Sequence, residues 1–124
     1  MSFTNRELDV MAVLWERGTG TVTEVRDGLE DDLAYTTVLT ILRTLEEKGF
    51  VTHRSEGKAH RYKPAVSQDV AGQSALARVV DKIFGGSPEL VLTQLVSDRN
   101  LSPRDLRRLR KLLDERLNDS KGRS

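Results

Sequence analysis

The sequence contains no cysteine. That absence excludes disulfides, thiolate metal sites and cysteine nucleophiles, and it suits a reducing compartment. No run of about 18 apolar residues occurs either, so no segment is expected to cross a membrane as a helix. The opening stretch MSFTNRELDV has no basic segment leading into an apolar one, so no secretory signal is expected. The expectation is a cytoplasmic protein with no membrane insertion. Histidine occurs only at His53 and His60, without a carboxylate or thiolate at ligand spacing. The two are read as surface residues or phosphate contacts, and no metal or other cofactor is expected. Ser55, Ser67, Ser74, Ser87, Ser97 and Ser102 have no nucleophile context, and no glycine-rich phosphate loop follows a strand. Adjacent Asp31 and Asp32 are assigned to capping a helix rather than to acid–base work. Nothing here reads as an enzyme.

What is present suits one or two small domains: 124 residues, 37% hydrophobic and 31% charged. The net charge of +1 conceals a gradient. Residues 1–32 hold three basic against eight acidic side chains, a net −5. Residues 33–65 hold six against three, a net +3, and residues 66–124 eleven against eight, also +3. An acidic start beside a basic middle suggests a localised anion-binding face.

The chain is punctuated by helix signals. Thr4 and Glu7 have capping-box spacing ahead of an apolar stripe of Leu8, Met11, Val13, Leu14 and Trp15. Gly18 and Gly20 are expected to stop that helix. Thr21 and Glu24 repeat the signal for a second helix over 21–31, with Val22, Val25 and Leu29 buried. A third helix is expected from Tyr35 to Lys48, closed by Gly49. Two β-prone runs, FVTHR and AHRYK, then flank the turn-like SEGK, and Pro64 ends the hairpin. Three helices followed by a hairpin is the order of a winged helix-turn-helix domain. Tyr62 and Trp15 are read as core residues.

Beyond residue 66 the pattern is helical again. A helix is expected over 67–84, broken by Gly85 and Gly86. Ser87-Pro88 and Ser102-Pro103 each place a capping serine before a first-turn proline, starting helices at about 88–99 and 103–118. Three helices of this size bury little surface alone. Val79, Ile83, Leu106, Leu109, Leu113 and Leu117 are therefore read as a dimer interface; packing back onto the N-terminal domain as a monomer is the alternative. The expected fold is mainly α with a small β-hairpin: a winged helix over 1–65 and a three-helix dimerisation region over 66–124.

The third helix has two faces. At about 100° per residue, Val38, Ile41, Leu42 and Leu45 fall on one side and Thr36, Thr37, Thr40, Arg43 and Thr44 on the other. Threonine is a mediocre helix former, so four on one face ask for a reason. As the third helix of a winged helix it is the recognition helix, and its first turns meet base edges. Threonine hydroxyls hydrogen-bond bases or phosphate, and their methyls pack on thymine. Thr36, Thr37, Thr40 and Arg43 are thus candidate groove contacts, and Thr44 a weaker one. Leu39 lies at the edge of the arc, and Tyr35 suits either packing under the helix start or a phosphate. Arg54, Lys58 and Arg61, on or beside the wing tip, are candidate phosphate contacts, which position a protein without specifying sequence.

The run LAYTTVLTILRTLEEKGFV followed by EGKAHRYKP resembles the penicillinase-repressor family, of the BlaI/MecI type. The likeness extends from TNRELDVMAVLWERG into the C-terminal helices. It implies a homodimeric transcriptional repressor whose winged helix binds a palindromic operator on double-stranded DNA and whose C-terminal helices dimerise. It also implies release through a membrane sensor protease that leads to a cut in the dimerisation domain. Two departures stand out. Copper-responsive relatives carry a cysteine motif, which is absent here. The staphylococcal-type members are cut between an asparagine and a phenylalanine, whereas the corresponding LVLTQLV holds Thr93-Gln94. Other readings also stay open: a winged helix that binds protein, or a ligand-sensing regulator.

Overall fold

The computed structural model describes residues 1–98 and 100–122. In chain order the elements are α1 (Asn5–Arg17), β1 (Gly20–Thr21), α2 (Val22–Gly28), α3 (Tyr35–Glu47), β2 (Val51–Glu56), β3 (Ala59–Pro64), α4 (Gln68–Ile83), α5 (Pro88–Asp98) and α6 (Pro103–Gly122). The expected helix over 88–99 ends at Asp98, and Arg99 lies outside the described residues. Contacts divide the chain into two units, Met1–Ala77 and Arg78–Ser124, with the boundary inside α4.

In the first unit, α1 opens on the expected capping box. Thr4 Oγ1 accepts from the Glu7 N–H at 3.1 Å, and Glu7 Oε1 accepts from the Thr4 N–H at 2.7 Å. Val10, Met11 and Leu14 are fully buried, whereas Leu8, assigned to the stripe, is 41% exposed. The correction is angular. At about 100° per residue, Glu7, Val10, Met11 and Leu14 share one side, and Leu8 is displaced from it by over a quarter turn. Trp15 flanks that side, half-buried, and its indole N–H donates to the Val66 carbonyl at 2.9 Å.

Gly18 caps α1 at φ +87, but Gly20 does not belong to the stop. It opens β1, which pairs antiparallel with β3 through Gly20↔Tyr62 and Thr21↔Arg61. The wing is therefore a three-stranded sheet in the order β1-β3-β2. Thr21 caps α2, accepting from the Glu24 N–H at 3.2 Å. That helix stops at Gly28, short of residue 31. A Cβ on Gly28 would stand 2.8 Å from Val13 Cγ1, so this glycine lets α1 and α2 approach closely.

The capping role expected of Asp31 and Asp32 is not realised. A cap must directly precede the first turn, and that place belongs to Ala34, which has no side-chain cap bond. Asp31 instead pairs with Arg6. Val38, Leu42 and Leu45 of α3 are fully buried and meet Val22, Val25, Val51 and Tyr62 in one core. Lys48, just past α3, donates to Glu7 Oε1 at 2.8 Å and ties α3 back to the start of α1. Burial raises the Glu7 carboxyl, but the Lys48 ammonium and the Thr4 N–H outweigh it and hold it below the usual carboxylate value.

The hairpin register runs from Val51↔Pro64 to Glu56↔Ala59, leaving Gly57-Lys58 as a two-residue turn. Gly57 has φ +60, which suits a glycine-first hairpin turn. Strand alternation puts Val51, His53 and Tyr62 on the core side, and Thr52, Arg54, Arg61 and Lys63 on the outer side.

In the second unit the serine caps appear where expected. The Leu90 N–H donates to Ser87 Oγ at 3.3 Å, and Ser102 and Asp105 exchange two bonds of 3.1 Å. None of the described side chains from 78 to 122 is buried. No helix among the described residues is long and apolar enough to cross a membrane.

Candidate nucleic-acid interface

The exposed face of α3 is built by its own core stripe. Once Val38, Leu42 and Leu45 are buried, Thr36, Thr37, Thr40 and Arg43 must face outward, and all four are exposed. Leu39 and Ile41 are half-buried and pack on the core. Tyr35 is 46% exposed. Two hydroxyls turn back onto the helix: Thr40 Oγ1 donates to the Thr36 carbonyl at 2.9 Å and Thr44 Oγ1 to the Thr40 carbonyl at 3.0 Å. Thr40 therefore presents its methyl and the acceptor side of its oxygen, and its donor is already used.

The wing supplies charge. Arg54 and Lys58 are exposed and have no ion pair among the described residues. Lys58 sits in the tip turn itself. Lys63, passed over in the sequence, shares the outer sheet face with Arg54, and the register alone reveals this. Thr19, Thr52, His53, Arg54, Arg61 and Lys63 line a hollow of about 320 Å³.

Arg61 differs from the other wing cations. Its side chain is 19% exposed and forks onto both oxygens of Glu24 at 3.0 and 3.1 Å. Its Nε donates to Glu56 at 2.9 Å and its Nη1 to Thr19 Oγ1 at 3.2 Å. Glu24 and then Glu56 raise its already high pKa, and Arg61 in turn holds Glu24 below the usual carboxylate value.

The two histidines lie together. Their rings stack with centroids 4.4 Å apart at 14°, and His53 Nδ1 stands 2.6 Å from Glu46 Oε2. Glu46 thus ties the end of α3 to β2. No group of three His, Asp or Glu side chains among the described residues could hold a metal.

Two helices joined by a short turn, a three-stranded wing and a threonine-rich outer face on the third helix make one architecture. The penicillinase repressor family model matches residues 3–115. The chain belongs to this family. Membership makes it a transcriptional repressor of the BlaI/MecI type with a DNA-binding winged helix, and not an enzyme. It is 40% identical over 97 residues to the transcriptional regulator BlaI of Mycobacterium tuberculosis, covering 73% of this chain and 68% of that protein. The penicillinase repressor of Bacillus licheniformis is 23% identical over 120 residues, covering 95% of this chain and 94% of the relative. Among solved structures, the DNA-binding domain of the repressor BlaI matches with a TM-score of 0.50 at 29% identity, over 54% of this chain and 84% of that one. A MarR mutant from Escherichia coli matches with a TM-score of 0.55 at 18% identity, over 94% and 79%, a likeness of fold alone.

Proposed function

We propose that this repressor acts in the cytoplasm as a homodimer reading a palindromic operator, with α3 in the major groove of each half-site. Thr36, Thr37, Thr40 and Arg43 face the bases, and Arg54 and Lys58 hold phosphates. The observation that carries the reading is the α3 surface: four exposed threonine and arginine side chains directly opposite a fully buried stripe. A winged helix built to dock on protein would show an apolar face there.

The dimer rests on the second unit. Val79 is 39% exposed, Ile83 72%, Leu106 43%, Leu113 53% and Leu117 59%, and Leu109 is half-buried. Large apolar side chains at helical spacing with no cover are the mark of a face that meets a partner. A second copy is the partner that gives two recognition helices to a two-fold operator.

Selection of bound DNA from a random library tests the whole reading. The expected product is an inverted repeat whose half-sites lie about one helical turn apart, or a multiple of it. A site without symmetry overturns the dimer, and the absence of any enriched sequence overturns groove reading by α3.

A further inference from the structure

The outer face of the sheet carries three cations, Arg54, Arg61 and Lys63, and they are not equivalent. Arg54 and Arg61 stand directly opposite each other across β2 and β3. Like charges so placed repel. The repulsion is relieved because Glu24 and Glu56 both close on Arg61. A guanidinium has five N–H donors, and Arg61 spends four of them: two on Glu24, one on Glu56 and one on Thr19. The cluster of one cation and two carboxylates is net negative. A phosphate arriving there meets repulsion and one remaining donor.

The partners of Arg61 belong to three separate parts of the fold. Glu24 is in the first turn of α2, Thr19 precedes β1, and Glu56 is the last residue of β2 before the Gly57-Lys58 tip. One planar fork therefore joins the first helix of the helix-turn-helix to the end of the wing. Arg54 and Lys63 remain exposed and without an ion pair among the described residues.

We propose that Arg61 is not a phosphate contact but the positioning residue that fixes the wing tip against α2, leaving Arg54 and Lys63 as the phosphate-binding cations of the outer sheet face. The proposal rests on the DNA-binding reading above. It assigns Glu24 and Glu56 a favourable part in DNA binding despite their negative charge.

Operator affinity of the full chain, measured across a salt series, tests it. Wild type is measured first, on operator and on random DNA; equal binding to both would defeat the DNA reading itself, not this inference. If operator preference is present, R54A and K63A each lower the salt slope by about 0.9, as expected of a lost phosphate contact. R61Q weakens operator binding about tenfold, the effect of about 1.4 kcal/mol, with the slope unchanged. E24Q also weakens it, although it removes a negative charge. The cost of K58A shrinks at least about threefold in the R61Q background, because the tip no longer meets its phosphate; a merely structural arginine would leave that cost unchanged. If R61Q does not fold, E24Q and E56Q retain the arginine and report the same sign. Tighter or unchanged binding by E24Q overturns the proposal. So does an R61Q slope that falls by about 0.9, with additive costs for R61Q and K58A.

Discussion

The two halves of the chain are both helical, both use serine or threonine caps and both are rich in aliphatic residues, yet among the described residues only the first has an interior. In the first unit Val10, Met11, Leu14, Val25, Val38, Leu42 and Leu45 are all at 0% exposure. In the second, α6 runs for 20 residues with no buried side chain, and Leu112, Leu113 and Leu117 are 61, 53 and 59% exposed. The difference lies in connection, not composition. In the first unit α1, α2 and α3 pack on one another and on the sheet, whereas the described residues of the second unit form only the end of α4, α5 and α6. A helix pair with leucines left in water is unfinished until something covers it. We therefore expect stability to be intrinsic to the first unit and assembly-dependent in the second.

The sharpest way to break that contrast is to cut into each apolar set in turn. Leu42→Ala removes a fully buried side chain from the core. It should lower stability by about 2–5 kcal/mol, read as a lower denaturant midpoint that does not depend on protein concentration. Leu113→Glu, in the second unit, should leave that midpoint nearly unchanged. It should weaken self-association by about 2 kcal/mol or more, roughly thirtyfold, read by sedimentation. A core-like loss of stability on Leu113→Glu, with no change in association, would show that the second unit folds around its leucines unaided.

A smaller effect should mark Glu7, which joins the two ends of the first unit's helical layer. Its pKa in the folded state lies below its unfolded value, held there against burial by Lys48 and Thr4. The stability it contributes is therefore complete above the unfolded carboxylate's pKa and disappears as pH falls through the folded value. Glu7→Gln should cost about 1–2 kcal/mol at neutral pH and flatten the acid limb of the stability curve. Equal acid sensitivity in wild type and variant would mean that another carboxylate controls that limb.

What was legible in the sequence was what is local. Thr4 with Glu7, Thr21 with Glu24, and the serines before Pro88 and Pro103 each announce a helix start within four residues, because a cap bonds to its own first turn. The two-faced α3 was equally legible, its period lying within one helix. What depends on distant partners was not. β1 is two residues long and exists because Gly20 and Thr21 meet Tyr62 and Arg61, about forty positions on. The same holds for Arg61. As a letter among wing residues it is another cation, and only the fold brings Glu24 and Glu56 to it. The choice of Leu8 over Val10 for the stripe of α1 failed for a simpler reason. Both are aliphatic, and a two-residue offset decides which faces inward.

The smallest expected effect is the most specific one, and it falls on the first unit alone. Thr40 is exposed in the middle of α3, so Thr40→Ala should slightly stabilise the fold, by about 0.5 kcal/mol or less, because alanine is the better helix former. A loss of operator preference in that variant cannot then be charged to unfolding, nor to the proposed assembly through the leucines of the other unit. The Thr40 hydroxyl spends its donor on the Thr36 carbonyl, which leaves the methyl and the acceptor side of the oxygen, and of these the methyl is the group that packs on a thymine. Thr40→Val should thus keep the preference for operator over random DNA, while Thr40→Ser loses about fivefold, close to 1 kcal/mol. The reverse order, with serine retained and valine lost, would mean that the hydroxyl oxygen and not the methyl reads the base.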